Sequence, residues 1–121
     1  MHQQGALAYQ QTAKVVESSR ERESALLMKA ASNLQKIKDE WPTSTEDYQV
    51  ALNYNRKLWT IFLASVTKED SPLPAEIRQN IANIGLFIMN QTREMLIEPE
   101  AHKIDVLVRL NRQIAAGLRG M

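Results

Sequence analysis

"NYNRKLWTIF", residues 53–62, is the stretch that decides how this chain folds. It holds three aromatics and two adjacent cations in a chain where aromatics are scarce. Leu52, Asn55, Leu58 or Trp59, Phe62 and Val66 recur in steps of three and four. A half-buried strand alternates in steps of two, whereas an α-helix presents one face every 3.6 residues, so the stretch reads as a helix. The stripe puts Leu58 and Phe62 in a core, Trp59 at its edge, and Arg56 and Lys57 on the flank. Arg and Trp are the residue types enriched where binding energy concentrates, which makes Arg56 and Trp59 candidate partner-binding residues.

The same spacing runs along most of the 121 residues. Only four glycines and four prolines interrupt it, and there is no Asn-Gly or Asp-Gly hairpin signal. Residues 3–16 form a short, weakly amphipathic piece through Leu7, Ala8, Val15 and Val16. A longer helix is predicted from Ser18 or Ser19 to Trp41, with Leu27, Ala30, Leu34 and Ile37 on its stripe and Pro42 as its stop. The next helix begins in "PTSTEDY" (42–48), where Thr43 with Glu46, or Ser44 with Asp47, has capping spacing. It continues to about Lys68. "KEDSPLP" (68–74) is a loop, a further helix spans Pro74 to Ile97, "EPEAH" (98–102) breaks it, and a closing helix runs from Ala101 to Leu118.

The fold class is therefore all-α. The expected architecture is a small antiparallel bundle of four main helices plus an N-terminal amphipathic segment, in one domain over residues 1–121. Residues 1–16 are the arm and 17–118 the bundle. The arm is too short to be a stable helix alone, so it is expected to dock into a groove, in cis or on a neighbouring copy, through Leu7 and Tyr9. The expected core comprises Leu27, Leu34, Ile37, Leu52, Leu58, Phe62, Ile77, Ile81, Ile84, Ile88, Ile104, Leu107 and Ile114.

Bulk composition excludes several classes. Hydrophobic residues make up 44% and charged residues 24%, unlike a disordered polyelectrolyte. The formal net charge of +1 gives no long-range field to attract a polyanion. The chain lacks cysteine, a basic-then-apolar leader and any apolar run of membrane-spanning length, so the expectation is a cytoplasmic protein with no membrane association. His2 and His102 are isolated from each other, and no glycine-rich phosphate cradle exists. No enzyme activity, catalytic residue, metal or cofactor is expected. Arg109, Arg112 and Arg119 are spaced to share a helix face, but three or four phosphate contacts give only a weak, salt-sensitive term. Nucleic acid is not the expected partner.

The segment "NIGLFIMNQTREML" (83–96) is apolar on more than one side. Ile84, Ile88 and Met95 supply one face, with Ile81 just before them, while Leu86, Phe87 and Met89 point elsewhere. A helix patterned this way is either central in a bundle or covered by a partner, so Leu86, Phe87 and Met89 join the candidate partner-binding set.

Taken in order, "ALAYQQTA" (6–13), "RERESALL" (20–27), "ALNYNRKLWTIF" (51–62), "LPAEIRQNIANIGLFIM" (73–89) and "IDVLVRLNRQIAAGL" (104–118) resemble the flagellar biosynthesis regulator FlaF family of alphaproteobacteria. The order and spacing of Asn55-Arg56-Lys57-Leu58-Trp59, Leu73-Pro74 and Asn111-Arg112 carry the resemblance over residues 6–118. Ser65-Val66 departs from it where an acidic residue is expected. The resemblance implies a cytoplasmic, non-catalytic flagellar regulator that supports flagellin synthesis and secretion. It also implies flagellin as partner, bound in the manner of a secretion chaperone, and a functional link to the FlbT regulator. The alternative is post-transcriptional control through messenger RNA or through FlbT. Physically, a helical bundle shields a client by accepting an amphipathic helix into an apolar groove. Oligomeric state is not legible.

Overall fold

The structure is a computed structural model; it describes the backbone of residues 2–120 and the side chains of residues 19–120. Four helices follow one another: α1 (His2–Asp39), α2 (Thr45–Val66), α3 (Ala75–Ile97) and α4 (Ala101–Arg119). The all-α bundle expected from the periodicity is what the chain forms.

Two boundaries differ from expectation. The N-terminal segment and the first long helix are one continuous helix. Ser18 and Ser19 read as a break, yet neither forces the backbone out of helical geometry, and Arg20 pairs with Glu23 one turn on at 2.7 Å. The side chains of Leu7 and Tyr9 lie outside the described residues, as does the arm docking assigned to them. Second, Pro74 occupies the cap of α3 rather than its first turn. At the start of α2, Ser44 rather than Thr43 is the cap, its hydroxyl accepting from the Asp47 backbone N–H at 3.1 Å.

The helices pack around a square. α1 lies along α4 over its longest interface and along α2 on its other side; α3 packs on α2 and barely touches α4. Neighbours are antiparallel: Ser24 and Leu27 of α1 meet Ala115 and Asn111 of α4. Lys38, near the end of α1, pairs with Asp105 in the first turns of α4. Between α2 and α3, Tyr48 meets Met95 while Leu63 lies against Gly85.

Leu27, Leu34, Ile37, Leu52, Phe62, Ile81, Ile88, Ile104 and Leu107 are buried as predicted. Leu58, Ile77, Ile84 and Ile114 are only partly buried against that core. Trp59 is the correction: predicted at the stripe's edge, it is 0% exposed and is the largest fully buried side chain. The stripe of α2 is rotated by one position, which carries Trp59 inward and Leu58 toward the α1–α2 seam. Burying an aromatic of this size contributes more than any single aliphatic in the core, and the packing rotates to capture it.

Candidate functional site

Tryptophan is amphipathic, so its burial requires a partner for the indole N–H. Nε1 of Trp59 donates to Asn111 Oδ1 at 2.8 Å across the diagonal from α2 to α4. Asn111 in turn donates through Nδ2 to Asn55 Oδ1 at 2.7 Å and, more weakly, to the Leu27 carbonyl at 3.5 Å. Asn55 and Asn111 are both 0% exposed, and Asn55 Nδ2 has no partner. The three side chains, with the Leu27 carbonyl, form a buried polar clamp joining α2, α4 and α1. Phe62 stacks edge-to-face on Trp59 with ring centroids 5.3 Å apart. The clamp holds helices in register; it presents nothing to a ligand.

Tyr48 forms a second internal tie. Its hydroxyl donates to the Met95 carbonyl at 2.7 Å, and Trp41 packs edge-to-face on its ring. Burial pushes the Tyr48 phenol above its ordinary value of 10.0; the Glu100 backbone opposes this and the Glu100 carboxylate adds to it. His102 is exposed, with Nε2 3.1 Å from Glu100.

The surface carries what the interior does not. On α3, Ile81, Gly85, Ile88, Thr92 and Met95 point inward. Leu86 and Phe87 stay 63% and 46% exposed. At 100° per residue they flank the outward face of the helix, with Asn83 and Asn90 between them. Met89, predicted with them, is half-buried against the core. Arg56 is exposed on α2. Of the predicted site residues described, Leu86, Phe87 and Arg56 are thus accessible, whereas Trp59 is enclosed and Met89 partly so. Leu86 and Phe87 share a surface; Arg56 stands apart on another helix.

A further feature was missed by sequence reasoning. Along the outer seam of α1 and α2, Leu26, Leu58 and Ile61 open onto a cavity of about 210 Å³ whose floor includes Leu27 and Phe62. Ile61 is 61% exposed. Its signal lay in the opening stretch itself, since Ile61 falls on the side of α2 opposite the buried stripe.

The flagellar protein FlaF family matches residues 6–118. The chain belongs to the FlaF family. No curated protein and no solved structure matches it. A FlaF chain is thereby placed among flagellar proteins. No helix among the described residues is long and apolar enough to cross a membrane.

Proposed function

We propose that this chain is a non-catalytic, cytoplasmic flagellar factor that supports flagellin synthesis and secretion by binding flagellin as a secretion chaperone does. The observation that supports the reading best is the exposure of Leu86 and Phe87 on a helix whose other face is fully packed. Exposed side chains of this size, adjacent on one turn, cost solubility unless something covers them. An amphipathic client helix covers such a pair with apolar anchors at three-four spacing. Family membership supplies the flagellar context.

The test is binding of purified flagellin by the purified chain, measured calorimetrically with and without ribonuclease treatment. The expected result is ribonuclease-insensitive binding, weakened by about 1–2 kcal/mol or more in Leu86→Glu/Phe87→Glu with helicity unchanged. Absence of binding, or binding that ribonuclease abolishes, would replace this reading with control through messenger RNA or through FlbT.

A further inference from the structure

The α1–α2 seam lies on a different side of the bundle from the α3 patch, and its chemistry is more specific. Its apolar cavity, about 210 Å³, is lined by Leu26, Leu58 and Ile61 under a rim that includes Arg22. That is smaller than the roughly 300–1,000 Å³ of sites built for small molecules, and fits protruding side chains instead. A second hollow of about 340 Å³ lies further along the same seam, where Val50 is 64% exposed. Val50 and Ile61 are eleven residues apart on α2, about 16 Å or three helical turns. Tyr54 lines the second hollow, and Lys29 lies over its ring, 5.7 Å from the centroid. The result is a straight trough with an apolar anchor point near each end.

Its edge is cationic. Arg22, Lys29 and Lys36 recur every seven residues along α1, all exposed and all on the seam side of the helix. Lys57 precedes Ile61 by one turn on α2. No salt bridge among the described residues involves any of these four. The acidic residue nearest the apolar cavity, Glu23, is held by Arg20. Glu40 and Asp47 lie only at the far hollow.

We infer that this seam is a second docking surface, which takes an amphipathic helix of a partner protein. The partner's apolar row enters the cavity of Leu26, Leu58 and Ile61, and its flank carries carboxylates facing Arg22, Lys29 and Lys57. Charge complementarity selects the partner's flank and its direction along the trough, because the far end is acidic. A nucleic-acid strand fits less well: stacking needs open aromatic faces, and Tyr54 is covered by Lys29.

The proposal is independent of the α3 patch, and the experiment keeps the two apart. Two synthetic helical peptides share one apolar row; one is flanked by glutamates and the other by lysines. Their binding to the full chain is followed by fluorescence anisotropy. The glutamate-flanked peptide is expected to bind about tenfold more tightly at low salt, a gap that narrows as salt screens the rim. Ile61→Glu, an exposed position, abolishes binding. Arg22→Glu/Lys57→Glu reverses the preference between peptides, which a merely misfolded variant would not do. Leu86→Glu/Phe87→Glu leaves peptide binding unchanged. Equal binding of the two peptides, no binding, or indifference to Ile61→Glu overturns the inference. So does displacement of the peptide by an oligonucleotide, or an Ile61-dependent dimer that occludes the trough in sedimentation. Flagellin binding in the same buffers reports on the α3 reading alone.

Discussion

Trp59 shows how one side chain settles the local register of a helix. Its ring is large enough that the bundle turns α2 to enclose it, and its N–H then obliges Asn111 to be buried opposite. Truncating it should cost ~3–5 kcal/mol, which thermal or urea melts will read directly. The hydrogen bond is separable from the volume. Trp59→Phe and Asn111→Leu should each cost about 1–3 kcal/mol by orphaning a buried partner. Together they should cost less than the sum, because each removes what the other would leave unpaired. Strict additivity in that cycle would mean the clamp is not a coupled unit. Tyr48 makes a prediction in pH. Its folded-state value is raised, chiefly by burial, so folding favours the protonated phenol. That stability is complete below the ordinary value of 10.0 and is lost as pH climbs through the folded-state value. Tyr48→Phe removes the hydroxyl's hydrogen bond to the Met95 carbonyl and should be less stable than the wild type at neutral pH, by about 1 kcal/mol. It should also show a shallower decline above pH 10.0, followed by melting temperature across an alkaline series.

At the scale of the element, the contact between α2 and α3 turns on Gly85. A Cβ built there would stand 2.5 Å from Leu63 Cδ1 and 2.9 Å from its Cγ, too close for the leucine to stay where it is. Gly85→Ala gains about 0.5–1 kcal/mol of helix propensity. Displacing Leu63 costs ~1–3 kcal/mol, so the net effect is destabilising. In the Gly85→Ala background, Leu63→Ala should cost markedly less than it does alone; an equal cost in both backgrounds would show that the helices simply move apart. The helices themselves were legible because period and punctuation agree: Pro42 and Pro74 sit within a few residues of real ends, and Ser44 is a real cap. The continuity of α1 was not legible, because the polar run from Ser18 to Glu23 interrupts the apolar stripe and leaves periodicity nothing to follow from one segment to the next. Nor was the inward turn of Trp59, since Leu58 and Trp59 differ by one position on a stripe that tolerates either. The trough escaped notice for a related reason: its residues come from two helices, Leu26 from one and Leu58 and Ile61 from the other, and periodicity reads one helix at a time.

For the whole molecule, the square of helices is unevenly closed. α1 and α4 share the longest interface and are tied further by Ser24 to the Ala115 carbonyl at 2.8 Å and by the Lys38–Asp105 pair. The Asn55–Asn111–Trp59 clamp then fastens α2 to that pair. Among the described residues, α3 has no such tie to α4 beyond Lys103 with Glu94 at 4.0 Å, which at the surface contributes little. Its attachment rests on α2, through the Gly85–Leu63 contact and the Tyr48 hydroxyl. Local opening free energy follows the burial and hydrogen bonding that hold each element, so α3 should open before the rest. Native-state hydrogen exchange should find amides of α3 from Ile81 to Met95 exchanging about tenfold or more faster than buried amides of α1 and α4. Denaturant should bring the slow set into line only near global unfolding. If α3 and α4 instead exchange at one common rate, the bundle opens as a unit and the weak α3–α4 corner has no energetic meaning. If α3 does open first, the helix that carries Leu86 and Phe87 is also the one able to move away from α4. A client covering those two side chains would then be expected to slow exchange in α3 before any other element, a readout that needs no change in secondary structure at all.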